Sequence, residues 1–237
     1  MSQTQRPNFG RRSILKYLST IIVGIATLGL GFSFLGQHHS KSELLPANRT
    51  SRLPPNQREV SELVGYSIGV IPQFNERDWR LRIGGEVEKP LSMTWNEFLD
   101  LPKLIQKSDL HCVTGWSKLD NVWGGTLFRN VIALCGPRSD ARFATFECED
   151  GYSTSLPLKV LVDDDVMLVY ELDGEELEPE HGRPLRLVVP KRYGYKSAKW
   201  IRAVKFTVEQ ELGYWEKLGY SNTADPWTED RYSQYRP

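Results

Sequence analysis

Cysteine and histidine are scarce in this chain of 237 residues, and neither is spaced to build a cage. Cys112, Cys135 and Cys148 are too few and too far apart for a disulfide scaffold, and they lack the paired spacing of a structural zinc site. The four histidines, His38, His39, His111 and His181, form no HExxH-type arrangement. An excess of either charge is missing too, since Lys+Arg and Asp+Glu both total 30. That balance leaves no electrostatic footprint for nucleic acid or an anionic membrane surface, so nucleic-acid binding is set aside. There is no internal repeat. A hydrophobic content of 40% suffices for one sizeable core, or one core with an N-terminal appendage.

What is present begins with an address. Residues 1–40 divide into a basic stretch with Arg6, Arg11, Arg12 and Lys16, an uncharged apolar run over 17–36, and a polar segment from Gln37. A run near that length spans a bilayer, with its positive flank on the cytoplasmic side. Gly10-Arg11-Arg12-Ser13-Ile14-Leu15-Lys16 resembles a twin-arginine export signal, apart from Gly where Ser or Thr is usual. Small-x-small cleavage sites after the run are poor matches, so the expectation is an uncleaved anchor on the extracytoplasmic, periplasmic face. Residues 41–65, polar with Pro46, Pro54 and Pro55, read as a tether.

From Tyr66 the texture becomes globular. Alternation predicts a strand over 79–83, a break at Gly84-Gly85 and a short strand over 86–90. Thr94 with Glu97 has capping-box spacing, which predicts a short helix over 94–101. Further strands are expected over 108–114, 142–149, 166–172, 185–189 and 200–208. Helices are expected over 127–135, stopped by Gly136-Pro137, and over 156–162. The aromatic stretch from Glu211 is expected to wrap the domain as ordered coil. Short strands mixed with short helices predict an α+β domain over 66–237.

Three segments carry chemistry. The first is Asp109-Leu110-His111-Cys112-Val113-Thr114-Gly115-Trp116-Ser117, where polar residues and Gly follow the Cys at once. The second is Glu180-His181-Gly182-Arg183-Pro184-Leu185-Arg186-Leu187-Val188-Val189-Pro190. The third is Lys191-Arg192-Tyr193-Gly194-Tyr195-Lys196-Ser197-Ala198-Lys199-Trp200-Ile201. Taken singly, a lone Cys is ordinarily core and a basic loop ordinarily solvated. Together they resemble the molybdopterin-binding domain of the sulfite oxidase family, including its bacterial branch related to the catalytic subunit of periplasmic methionine sulfoxide reductase.

That resemblance implies a sulfite-oxidase-type α+β fold and a Mo-molybdopterin cofactor. It implies Cys112 as the thiolate ligand of molybdenum, deprotonated by coordination. His181, Arg186, Ser197 and Lys199 would hold the pterin and its phosphate, for which an Arg fork is apt. Cys148 stands near where sulfoxide-reducing relatives have a pterin-contacting Thr. Trp116, Tyr193 and Tyr195 would line the substrate pocket. Eukaryotic-type relatives place an Arg soon after the ligating Cys, and none follows Cys112 here, leaving Lys191 and Arg192 as substitutes for holding an oxyanion. Nothing in the sequence resembles the immunoglobulin-like dimerisation domain or the haem domain of those enzymes, which implies a monomer passing electrons to a separate redox protein.

The implied activity is oxygen-atom or two-electron transfer on a small sulfur- or nitrogen-oxide substrate, the protein being exported by the twin-arginine machinery. Two rivals remain: a methionine sulfoxide repair reductase using the same site, and a membrane-tethered, non-catalytic binding module. A cysteine hydrolase is disfavoured, because adjacent His111 and Cys112 point to opposite faces of a strand.

Overall fold

The computed structural model describes residues 52–233. The twin-arginine motif and the apolar run over 17–36 lie outside the described residues. Among those described, no helix is long and apolar enough to cross a membrane. The segment expected as a tether is described from Arg52 on, and that part is woven into the domain. Arg52 Nε donates to Asp109 at 3.0 Å, its guanidinium also pairs with Asp120 at 3.0 Å, and β1 (Arg58–Glu59) pairs in parallel with Trp116 and Ser117.

Two sheets build the structure. The first contains β1, β4 (Leu104–Cys112), β5 (Trp116–Leu127), β8 (Met167–Leu172), β9 (Glu175–Glu176) and β10 (Arg186–Val188). Its middle is β5, which pairs with β4, β1 and β8. The second runs in the order β3 (Leu91–Thr94), β2 (Arg80–Gly85), β11 (Ile201–Thr207), β6 (Phe143–Cys148), β7 (Ser153–Pro157). Only β2–β11 is parallel within it, and the other pairs are antiparallel. The result is a sheet-dominated mixture with few helices.

Local chemistry explains several elements. Thr94 caps helix Trp95–Leu99 reciprocally with Glu97, a device worth about 1 kcal/mol, and Phe98 of that helix is buried. Helix Phe128–Cys135 buries Phe128, Val131 and Cys135 and ends at Gly136. The stretch 86–90, expected as a strand, instead serves that helix's end: the Glu88 and Lys89 amides donate to the carbonyls of Gly136 and Cys135 at 2.7 and 2.9 Å. Helix ends leave carbonyls unpaired, and this segment satisfies two of them. The longest strand, β5, was not expected. Its alternation is broken by Asp120, held at φ 59°, and by Gly124-Gly125.

A large core joins the second sheet to helix Phe128–Cys135 and to Leu185, Leu187 and Val189. A smaller one gathers Leu110, Trp116, Trp123, Met167, Val169 and Val188 on the first sheet. Side chains such as Trp123 and Phe206 are fully buried, each contributing roughly 2–3 kcal/mol. The C-terminal stretch wraps the domain with one short helix, Tyr214–Lys217, and a bridge between Tyr220 and Tyr232.

Candidate functional site

β4 and β5 form a hairpin that closes on three residues, Val113-Thr114-Gly115, with Cys112 and Trp116 directly opposed across it. Gly115, at φ 96°, makes the turn, and its amide donates back to the Cys112 carbonyl at 3.1 Å. Cys112 and Trp116 thereby reach the wall of a cavity of about 390 Å³. Trp116 is only 4% exposed and its indole Nε1 has no partner. The Cys112 sulfur lies 3.1 Å from Thr114 Oγ1. Burial pushes its thiol up, while Thr114 and the charge of Arg231 favour the thiolate. His111 points elsewhere: it is buried, outside the cavity wall, with Nδ1 2.8 Å from Ser117 Oγ.

The second wall comes from the turn over 179–186. Arg186 is 5% exposed, and one guanidinium nitrogen donates to the His181 carbonyl at 3.0 Å. Its Nε has no partner, the Trp123 ring lies 5.3 Å away, and among the described residues no carboxylate pairs with it. Burial alone pulls it down to about 10, because a guanidinium is costly to keep charged away from water. His181 Nε2 stands 3.3 Å from the Leu63 carbonyl. Gly182 sits between two cations at φ 111°, and a Cβ there would meet Arg186 Cβ at 3.0 Å and Lys199 Cβ at 3.1 Å.

The third wall is the loop after β10. Ser197 is buried and its hydroxyl accepts from the Val189 amide at 3.0 Å. Lys199 Nζ donates to the carbonyls of Tyr66 and Glu180 and sits 4.2 Å from the Trp200 ring centroid. Burial and the neighbouring Arg186 pull Lys199 down to about 7. Tyr195 lines the cavity and donates to the Ser221 carbonyl at 2.6 Å.

Seven of the sequence-predicted residues therefore meet at one cavity: Cys112, Trp116, His181, Arg186, Tyr195, Ser197 and Lys199. Two do not. Tyr193 is fully buried behind the hairpin with its backbone bridged to His111, so it packs rather than lines the pocket. Cys148, at the end of β6, opens onto a separate small cavity with Arg82 and Arg202, and burial first, then Asp150 and Glu147, raise its thiol well up. The proposed substitutes for an oxyanion-binding Arg are also elsewhere. Lys191 pairs with Asp163 and Asp165 at 3.0 and 3.2 Å, and Arg192 donates to the Lys191 carbonyl. The sequence reading missed the contribution of 63–68, whose Leu63, Val64 and Tyr66 line the mouth without any local motif to announce it.

The arrangement offers one soft thiol, the basic groups of Arg186 and Lys199, and an aromatic wall. Asp150 and Glu180 also line the cavity and act on Lys199, while Arg186 has no carboxylate partner among the described residues. Such a pocket suits a phosphate-bearing organic group brought against a thiolate. The family model described as "Oxidoreductase molybdopterin binding domain" matches residues 68–215. The chain is 37% identical over 188 residues to "Uncharacterized oxidoreductase YuiH" of Bacillus subtilis, covering 79% of this chain and 95% of that one. It is 28% identical to the "Protein-methionine-sulfoxide reductase catalytic subunit MsrP" of Campylobacter jejuni, covering 81% and 77%. Among solved structures, the sulfane dehydrogenase SoxCD of Paracoccus pantotrophus shares the fold, with a TM-score of 0.56 at 21% identity. That likeness covers 80% of this chain, which spans only 59% of the other.

Proposed function

The chain belongs to the family of molybdopterin-binding oxidoreductase domains, and on that premise we propose that it carries out oxygen-atom or two-electron transfer on a small sulfur- or nitrogen-oxide substrate. The family's cofactor is Mo-molybdopterin, and the residues of the cavity fit it. The observation that carries the reading is the buried guanidinium of Arg186, with an unpaired Nε and no carboxylate partner among the described residues, beside the second basic group, Lys199. A buried cation without a protein counter-ion is costly unless a ligand anion supplies one, and a pterin phosphate does.

When bound, the cofactor supplies two-electron redox chemistry at molybdenum. The chain's share is placement. Cys112 presents its sulfur at the hairpin tip as the single protein ligand, with the Thr114 hydroxyl 3.1 Å away to donate to the thiolate. Arg186 and Lys199 clamp the phosphate, while His181 and Ser197 fix the two turns on which those cations stand. Trp116 and Tyr195 form the apolar side that keeps water from the reacting centre.

A second reading has its own observation. The mouth is apolar, with Leu63 and Leu110 inside and exposed Val64 and Tyr66 at the rim, which suits the sulfoxide of a methionine carried on a peptide. The likeness to a protein named as a protein-methionine-sulfoxide reductase subunit supports it. In either case electrons pass to or from a separate redox protein, the domain works as a monomer, and residues 1–40 place it outside the cytoplasm.

The deciding experiment compares wild type with Cys112→Ser, both purified full-length from a molybdenum-replete host. About one molybdenum per wild-type chain, with an altered metal spectrum in the variant, is expected. A folded wild-type protein without molybdenum or pterin would favour the non-catalytic tethered module. Sulfite and methionine sulfoxide assays then separate the two substrate readings.

A further inference from the structure

The hairpin tip that carries Cys112 is gripped from outside by two segments that lie beyond the family match at 68–215. On the N-terminal side, Gln57 Nε2 donates to the Cys112 carbonyl at 3.0 Å, and its Oε1 accepts from Ser117 Oγ at 3.2 Å. The next amide, Arg58, donates to the Gly115 carbonyl at 3.1 Å. On the C-terminal side, the Arg231 guanidinium donates to the Val113 carbonyl and lies 5.4 Å from the Tyr193 ring centroid. The two segments are tied to each other: Asn56 Nδ2 donates to Glu229 Oε1 at 2.8 Å, and Glu229 also accepts from Arg231 at 3.4 Å. Three carbonyls of the short tip, those of Cys112, Val113 and Gly115, are thus held by donors from the two ends of the described chain.

We propose that Gln57 and Arg231 are positioning residues that fix the direction in which Cys112 presents its sulfur to the metal. The inference rests on the reading of Cys112 as the molybdenum ligand. A three-residue tip with a glycine in it has little stiffness of its own. The angle between a thiolate's lone pairs and the metal sets how much charge the sulfur gives, so a wandering tip spreads the metal's electronic environment. Groups behind a ligand tune a metal site in this way, and their loss typically costs about 10–100-fold in affinity or activity. Arg231 adds a charge. Its guanidinium is held against the tip by the Val113 carbonyl, and a cation near the centre favours the reduced metal.

The test uses full-length, molybdenum-loaded protein and four variants: Gln57→Ala, Arg231→Gln, Arg231→Lys and, as control, Cys112→Ser. The readouts are molybdenum content, the Mo(V) electron paramagnetic resonance signal and the midpoint potential, with circular dichroism to establish folding. Expected are a broadened or split Mo(V) signal for Gln57→Ala at near wild-type molybdenum content, a lower potential for Arg231→Gln, and recovery of the potential in Arg231→Lys. If Gln57→Ala does not fold, Gln57→Glu, which keeps the shape and loses the donor, is judged on the same signal. A changed signal in Cys112→Ser alongside wild-type signals and potentials in the Gln57 and Arg231 variants would overturn the positioning role and leave the ligand reading standing. An unchanged signal in Cys112→Ser would overturn both.

Discussion

Lys196 and Glu216 form an ion pair in which neither side chain has any exposed surface, directly behind the loop that brings Tyr195 and Ser197 to the cavity. Thr154 Oγ1 donates to the same Glu216 oxygen at 2.6 Å, and Lys196 also donates to the Ser155 carbonyl at 3.1 Å. The pair therefore ties the cofactor loop to β7 and to helix Tyr214–Lys217. Removing one partner strands the other charge. Lys196→Met is expected to cost roughly 3–5 kcal/mol in chemical denaturation of the cofactor-free protein. The double variant Lys196→Met/Glu216→Leu should recover part of that loss, since replacing both charges by apolar groups removes the stranded one. A double variant no more stable than Lys196→Met would place the effect in packing instead.

Gly182 is the second sensitive point. It holds φ 111° and leaves room for Arg186 and Lys199 to pass on either side. Gly182→Ala adds a methyl 3.0 Å from Arg186 Cβ in a conformation alanine avoids, which is expected to cost about 1–3 kcal/mol. Both cations must shift, so molybdenum content should fall further than stability alone explains. Wild-type molybdenum loading in a destabilised Gly182→Ala protein would dissociate the turn from cofactor binding.

Much of the fold and of the site was legible where its parts are local. The capping box at Thr94 and Glu97 and the stop at Gly136 each work within a few residues, and the structure has both. The three motif segments carried enough residue-by-residue detail to bring seven side chains to one cavity. What was not legible depends on distant pairing. β5 is a strand because β4, β1 and β8 flank it, although Asp120 and Gly124-Gly125 spoil its alternation. Cys148 and Tyr193 lie close in sequence to cavity residues, yet Cys148 lines a separate small cavity and Tyr193 is fully buried behind the hairpin. Gln57 and Arg231 belong to no pattern, since each meets its partner carbonyl more than fifty residues away along the chain.

Arg186 makes opposite demands on the cofactor-free and loaded protein. In the former it is a buried charge held by one carbonyl and a tryptophan face, and burial has already drawn it down to about 10. Arg186→Met is expected to leave the cofactor-free domain at least as stable as wild type, within about 1 kcal/mol or better, because the desolvated charge is gone. Molybdopterin retention should drop about 10–100-fold, the value of a charge-assisted hydrogen bond or two. Measured by thermal unfolding and by pterin content, the two effects should move apart. A cofactor-free Arg186→Met protein destabilised by several kcal/mol would mean that the guanidinium holds the fold rather than an anion.

Lys199 gives the site a pH dependence with a definite sign. In the unfolded chain its ammonium titrates near 10.4. In the folded cofactor-free domain burial and Arg186 bring it to about 7. Between those values the unfolded chain binds the extra proton, so this residue makes stability rise with pH from about 7 towards 10. The thiols of Cys112, Cys135 and Cys148 work against it, because burial raises each of them and the unfolded chain loses those protons first. The comparison that isolates Lys199 is therefore wild type minus Lys199→Met, measured by denaturant between pH 7 and 9. That difference should move in favour of wild type as pH rises. In the loaded protein a phosphate restores the ammonium, so loading above pH 7 takes up a proton and the stabilisation from cofactor should shrink with increasing pH. A difference that is flat across this range in the cofactor-free protein would mean that the carbonyls of Tyr66 and Glu180 and the Trp200 ring keep Lys199 charged throughout. The cation would then stand ready for its anion at every working pH, and loading would carry no proton with it.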